Sequence, residues 1–148
     1  CSGVREALRE LSEDERWEGV AVGVASCTPE PFWARACLRA FRLGNGRSLQ
    51  EVMPLLEIRR GSKKGHLRSI CSAAGCEFEE VLFFDNEPVH CAEVSELGAT
   101  AALCPRGLTE DVWQRAVAAF PAPGQVIGMA EGVGEERQRA QGGRARRK

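Results

Sequence analysis

The 148-residue sequence contains no C-x-x-C pair, no apolar run long enough to cross a membrane and no Asp-x-Asp motif. Its seven cysteines are scattered and its two histidines are isolated, so neither a zinc site nor a disulfide framework is expected. Several cysteines fall on apolar faces, where they should act as small reduced hydrophobic side chains in a cytoplasmic protein. Without a membrane-length run, neither a membrane span nor a membrane partner is expected.

What is present is the composition of an ordinary globular domain, with 43% hydrophobic and 28% charged residues. Residues 1–120 are predicted to form one domain. Residues 121–148 are rich in Gly, Gln and Arg and have few large apolar side chains, which predicts a disordered basic tail. The end of this tail could contact nucleic acid or an acidic surface. A solvated extension is the simpler interpretation, so no specific nucleic-acid partner is predicted.

Short apolar runs alternate with amphipathic stretches along residues 1–120. The runs predict strands, and the amphipathic stretches between them predict helices. This alternation is typical of the α/β class, and we predict a three-layer α/β/α Rossmann-like fold with a mostly parallel sheet. In such a sheet the carboxyl ends of the strands share one edge, where ligands bind. The predicted strands are 20–25, 56–58, 81–84 and 99–104, and the helices begin near residue 4 and after Thr28, Ser62, Pro88 and Thr109.

Asp85 and Asn86 directly follow the apolar strand at 81–84. A carboxylate at a strand end can hold a hard cation such as Mg²⁺, which prefers oxygen ligands, and Glu87 lies close enough to assist. The alternative is that Asp85 only caps the helix that follows. Taken alone, Asp85 would favour the capping interpretation.

A hydroxyl-containing turn and a lysine occur earlier in the chain. Ser26, Cys27 and Thr28 follow the first predicted strand and lead into a helix N-terminus, where backbone N–H groups and a hydroxyl can bind phosphate. Both hydroxyls could instead be helix caps, and Thr28 before Pro29 at the first helical position fits that role best. Lys63 begins another helix, where a cation opposes the macrodipole unless an anion is near. A solvent-facing lysine is the alternative.

The hydroxyl, the lysine and the acid occur in an order that resembles the haloacid dehalogenase (HAD) superfamily, and within it the magnesium-dependent phosphatase-1 type. The resemblance covers about residues 4–120 and is most specific over 24–30, 61–66 and 81–98. It implies a phosphomonoester hydrolase with Mg²⁺ as cofactor. Phosphotyrosine and small sugar phosphates are the substrate classes, and therefore the partners, that it implies.

The resemblance also implies roles for individual residues. Ser26 would hydrogen-bond the transferring phosphoryl group and Lys63 would neutralise its charge, which makes these two the catalytic residues. The phosphate- and substrate-binding residues would be Ser26, Cys27, Thr28 and Lys63, and the metal ligands would be Asp85 and Asn86. In the family an aspartate attacks phosphorus to give an aspartyl-phosphate, which water then hydrolyses.

Three features depart from the family pattern. The Asp-x-Asp-x-Thr motif that supplies the nucleophile is absent, and because its strand is normally central, we expect the sheet to lack that strand and to expose backbone edges. Asn86 replaces a second aspartate, which should weaken Mg²⁺ binding. Cys27 replaces a basic residue, which leaves substrate preference open. A truncated gene model or a fragment explains the missing motif better than an evolved pseudoenzyme does.

Two functions remain as hypotheses. In the first, the chain is the later part of a HAD-type phosphatase and is catalytically incompetent by itself. In the second, it is a non-catalytic module that keeps a phosphate crevice and uses the tail for a partner. A receiver-like domain is a weaker third, because no strand ends in the phospho-acceptor pattern of that class. The sequence predicts no particular oligomeric state.

Overall fold

A computed structural model of the protein describes residues 2–129. Within this range the α-helices are α1 (Ser2–Glu13), α2 (Pro31–Ala40), α3 (Leu49–Val52), α4 (Lys63–Ala74), α5 (Pro88–Ser95) and α6 (Glu110–Ala119). The strands are β1 (Gly23–Ser26), β2 (Leu55–Ile58), β3 (Leu82–Asp85), β4 (Thr100–Leu103) and β5 (Val126–Ile127). None of the described helices is both long enough and apolar enough to cross a membrane.

All the described strand pairs are parallel, as predicted, but the strands form two sheets. β1 pairs with β2, and Ser26 lies opposite Ile58. β4 lies between β3 and β5 in the second sheet. Between residues 2 and 129, β1 and β3 are not hydrogen-bonded to each other or to a common neighbour, so each has one unpaired edge. The α/β class with parallel strands is confirmed, with an interruption between β1 and β3.

The second sheet lies between two layers of helices. Phe83 points toward α4, where it joins a buried cluster with Leu67 and Cys71. Phe84 points to the opposite face, and its ring centroid is 5.7 Å from that of Trp113 on α6. This alternation is the ordinary pleat of a strand, whose successive side chains face opposite sides. The predicted three-layer α/β/α arrangement is therefore present around β3.

Many of the fully buried residues lie on β4 and α5. Ala101 and Ala102 of β4 and Cys91 and Val94 of α5 are all 0% exposed. Small side chains on a central strand let a helix approach closely and fill the interior without voids. This part of the molecule forms its hydrophobic core.

An apolar cavity of about 550 Å³ lies between the two sheets. Ala25 of β1, Phe83 and Phe84 of β3 and residues of α1 are among those that line it. An unpaired strand edge presents backbone N–H and C=O groups that lack partners in the sheet. The unpaired edges of β1 and β3 border this cavity, so the packing between the two sheets is incomplete there.

The start of α2 differs from the prediction. The helix begins at Pro31, not Pro29, and Thr28 does not cap it. The Thr28 hydroxyl instead accepts a hydrogen bond from the backbone N–H of Glu30, 3.1 Å away. Such local bonding competes with capping for a short hydroxyl side chain. The predicted apolar stripe of this helix is also largely solvent-exposed, with Phe32 68% and Trp33 65% exposed.

The predicted tail overlaps an ordered strand. Residues 121–129 contain β5, in which Val126 and Ile127 pair with Ala101 and Ala102 of β4. Only two apolar residues form this strand, so the weak hydrophobic pattern gave no signal for it. Residues 130–148, the rest of the predicted tail, lie outside the described range.

Candidate functional site

The carboxyl ends of β1 and β3 come together around the side chain of Lys63, and we call this region the strand-end site. Lys63 Nζ donates a hydrogen bond to the backbone carbonyl of Ala25 in β1. The same nitrogen lies 3.0 Å from Asp85 Oδ2 at the end of β3. Lys63 thus connects two sheets whose strands are not paired. Lys63 and Asp85, two of the three residues that the family resemblance assigns to one phosphate site, are in contact there, and Ser26 directly follows Ala25.

The local sequence places Lys63 at the start of α4. Ser62 caps this helix, because its hydroxyl accepts a hydrogen bond from the N–H of Gly65 at 3.1 Å. Gly75 ends it in the left-handed conformation, with φ of 70°. Lys63 is only 6% exposed although it is charged. The charge of Asp85 compensates both its burial and its unfavourable place at a helix N-terminus.

Asp85 is an ionised carboxylate with several partners. Burial raises its pKa, but the backbone N–H of Glu87, the Lys63 ammonium and His90 together hold the pKa below its usual value. Oδ1 accepts from Glu87 N at 2.9 Å and lies 3.2 Å from His90 Nδ1. Asp85 accepts no hydrogen bond from the N2 or N3 backbone N–H of α5, so it is not the cap of this helix. Its local backbone bond is the one to Glu87 N.

The Asp85 charge also affects the thiols beneath it. Cys91 and Cys104 are buried under the end of β3, and Cys91 Sγ lies 3.7 Å from the Asp85 carbonyl oxygen. Burial, and then the charge of Asp85, raise the pKa of Cys91 to about 12 and raise that of Cys104. These two thiols remain protonated at neutral pH and act as packing groups, as the sequence predicted.

The turn after β1 carries the other predicted residues. The Ser26 hydroxyl accepts from Thr28 N at 3.4 Å, and the Thr28 hydroxyl is already bonded to Glu30 N. All three residues of the turn, Ser26, Cys27 and Thr28, are half-buried. Ser26 directly follows Ala25, whose carbonyl binds Lys63. Of the two hydroxyls, Ser26 is therefore the one closest in sequence to the lysine contact.

Cys27 contacts the start of α4 instead of pointing freely to solvent. Its Sγ donates to the carbonyl of Gly61 at 3.3 Å and lies 3.8 Å from His66 Nδ1. His66 is fully buried, and its Nε2 has no hydrogen-bond partner among the described residues. Burial lowers the pKa of His66, and the charges of Arg59 and Lys63 lower it further. His66 is therefore neutral at physiological pH.

The donor set does not fit the predicted Mg²⁺ site. Magnesium requires about six oxygen ligands, usually with one or two carboxylates. Asp85 already bonds Lys63, His90 and Glu87 N, and Asn86 is exposed and donates to Glu87 Oε1 at 3.2 Å. In the described range no group of three or more His, Cys, Asp or Glu side chains is placed to hold a metal ion.

The sequence resemblance rests on the chain order of Ser26, Lys63 and Asp85, and the structure brings Lys63 and Asp85 into contact. A family model described as acid phosphatase matches residues 1–122. The chain belongs to the acid phosphatase family. This family is HAD-like, so the resemblance drawn from the motifs is confirmed. The match supports a phosphatase-type function. It includes every residue of the strand-end site.

Two histidines that the sequence left without a role lie at the site. His90 contacts Asp85, and His66 contacts Cys27. Both lie in the first turns of helices that follow the strand-end loops, and such positions face the carboxyl edge of a sheet. That placement was the signal available in the sequence. The sequence could not predict the hydrogen bond from Lys63 to the Ala25 carbonyl, because every residue has a backbone carbonyl.

Proposed function

We propose that this member of the acid phosphatase family binds phosphomonoesters and that its strand-end site holds the phosphoryl group. The observation that carries the proposal is the buried Lys63 ammonium held between Ala25 O and Asp85. An ammonium has three N–H donors, and these two partners use two of them. The third donor and the Ser26 hydroxyl are then available to phosphate oxygens. Phosphotyrosine and small sugar phosphates are the substrate classes we propose.

We further propose that these 148 residues bind the phosphoryl group but do not hydrolyse the ester. Among residues 2–129, Asp85 is the one carboxylate that forms an ion pair with Lys63, and three hydrogen-bonding partners already engage it. The sequence contains no Asp-x-Asp pair to supply a nucleophile. Covalent phosphoryl transfer requires a free nucleophile in line with the phosphorus atom. The absence of a free nucleophile favours the second candidate function, a phosphate-binding module without catalysis.

Calorimetric titration with phosphotyrosine, with tyrosine as the control ligand, tests binding. The wild-type chain should bind phosphotyrosine and not tyrosine. Lys63→Ala should weaken binding about ten- to hundredfold, since a hydrogen bond to a charged group contributes about 1.5–3 kcal/mol. Lys64→Ala is the matched control, because Lys64 bonds Glu96 and not the site. Equal affinity for the two ligands would contradict the proposed site.

Ser26→Ala provides a milder second variant that leaves the Lys63–Asp85 pair intact. It should weaken phosphotyrosine binding by about threefold to tenfold, in line with about 0.5–1.5 kcal/mol for a neutral hydrogen bond. Turnover is measured separately with p-nitrophenyl phosphate. The expected rate is that of a protein-free control, and a rate above it that Lys63→Ala abolishes would show that the chain is itself a phosphatase.

The cysteines support the compartment that we propose. The six cysteines of the described range are free thiols, and Cys37 is exposed. Free thiols persist where the cell keeps them reduced. We therefore propose a cytoplasmic location, with a phosphorylated small molecule or phosphotyrosine as the partner and neither nucleic acid nor membrane as a specific one.

A further inference from the structure

We propose that His90 and Lys63 together engage the carboxylate of Asp85, which the family resemblance assigns to a divalent cation. Phosphate therefore binds to this chain without a metal. This inference rests on the proposed phosphoryl-binding function. The partners that surround Asp85 do not suit a Mg²⁺ site. His90 is the residue that positions Asp85.

The contacts of Asp85 fix its orientation from three sides. Its side chain is 8% exposed and that of Lys63 is 7% exposed, so the ion pair between them is screened little by solvent. Lys63 Nζ approaches Oδ2, while His90 Nδ1 and Glu87 N approach Oδ1. A carboxylate has about four lone-pair positions, and three are taken. A cation bound to Asp85 would have to share the carboxylate with the Lys63 ammonium, which it repels.

The tautomer of His90 follows from its partner. Asp85 is ionised and can only accept, so the His90 nitrogen that faces it, Nδ1, carries the proton. This leaves Nε2 as the second functional atom of the ring. The His90 side chain is 28% exposed, so this ring lies at the rim of the site and not in the core. The ring is therefore partly accessible to solvent, and its Nδ1–H orients the buried carboxylate of Asp85.

The side chains of Asn86 and Glu87 bond each other and make no hydrogen bond to the Asp85 carboxylate. Asn86 is exposed and donates its amide to Glu87 Oε1 at 3.2 Å. Glu87 is exposed as well, and its contact with Asp85 is made by its backbone N–H. The charge that a metal would supply to a bound phosphate must then come from Lys63. Its third N–H has no partner among the described residues, so this donor is the one that binds phosphate.

Calorimetric titration with inorganic phosphate in excess EDTA and again in excess MgCl₂ tests the inference. The wild-type Kd should agree within about twofold between the two buffers, a difference of about 0.4 kcal/mol. Titration of Mn²⁺ alone, followed by the electron paramagnetic resonance signal of free Mn²⁺, should show no saturable binding. Phosphate binding that requires MgCl₂ would overturn the inference and leave the proposed function standing. No phosphate binding in either buffer would instead contradict the proposed function, on which the inference rests.

Two variants separate positioning by His90 from a merely structural role. His90→Ala frees Asp85 Oδ1, so phosphate binding should become weaker in EDTA and should improve when MgCl₂ is added. His90→Gln keeps an N–H donor for Asp85 and should remain insensitive to MgCl₂. If His90→Ala binds phosphate as the wild type does in both buffers, His90 has no positioning role. If this variant fails to fold, the wild-type comparison still decides whether phosphate binding needs a metal, and a His90→Gln variant whose binding depends on MgCl₂ would contradict the positioning role.

Discussion

The two sheets of this protein differ in how completely they are packed. In the β3–β4–β5 sheet, β4 is paired on both sides, Ala101 and Ala102 are fully buried, and Ala101 packs in one cluster with Cys91 and Val94 of α5. In the β1–β2 sheet none of the residues of β1 is buried, and β1 has one unpaired edge beside the apolar cavity. Both sheets nevertheless contribute to the strand-end site. The site therefore lies between a well-packed half and a weakly packed half.

This difference shows what Lys63 contributes besides charge. With no backbone pairing between β1 and β3 in the described range, the contacts of Lys63 with Ala25 and Asp85 connect the two halves directly. The helices support the connection, because α4 packs on β1 and β2 as well as on α5.

Loss of the Asp85 charge should have the largest effect on stability. Asp85→Asn leaves Lys63 buried without its counter-charge, and removing one partner of a buried ion pair costs about 3–5 kcal/mol. The free energy of unfolding in urea at neutral pH should fall by about this amount. Because the pKa of Asp85 is lowered by folding, its contribution is fully present above the unfolded pKa of about 3.9 and is lost as pH falls through the folded value. The variant and the wild type should therefore converge in acid, and a constant difference at all pH values would contradict the ion-pair explanation.

The two halves should respond unequally to the same truncation. Val94→Ala removes atoms from a fully buried side chain of α5 and should destabilise by about 1.5–3 kcal/mol. Val24→Ala makes the same change on half-buried β1 and should cost less than half as much. Thermal and urea unfolding of both variants measure this. Equal losses would show that the β1–β2 half is packed as well as the core.

A smaller effect should come from His66, whose pKa is lowered by burial and by nearby Arg59 and Lys63. The unfolded chain binds a proton at this residue near pH 6.5, while the folded protein does so only at lower pH. Stability should therefore decrease as pH falls below about 6.5, down to the folded pKa, because the unfolded state holds more protons in this window. His66→Gln should show a weaker decrease over the same window. An unchanged pH profile would mean that folding does not lower the pKa of His66.

Local signals in the sequence predicted much of the fold. Ser62 and Thr109 were identified as helix caps, and both side chains accept the expected backbone hydrogen bonds. Gly75 ends α4 in the left-handed conformation, which glycine adopts without steric cost. The start of α2 was missed because two prolines, Pro29 and Pro31, offer the same signal and only the second is used.

Contacts between distant residues were less predictable. The order of Ser26, Lys63 and Asp85 indicated a shared edge, but Lys63 and Asp85 are separated by a helix and a loop, so no local pattern reveals their ion pair. The contact from His90 to Asp85 depends on how α5 leaves β3, which the sequence does not specify. The strand β5 was missed because two residues do not form a periodic pattern. The proposed roles of Cys27, Thr28 and Asn86 stay predictions.

The central claim is that Lys63 joins the two halves into one phosphate-binding site. A ¹⁵N-labelled chain titrated with inorganic phosphate tests it most directly, because the amide shifts report both strand ends at once. We predict saturable shifts at Ser26 and Asp85 that share one Kd, that persist in Lys64→Ala and that disappear in Lys63→Ala. Shifts at one strand end alone, or shifts that survive in Lys63→Ala, would contradict the account.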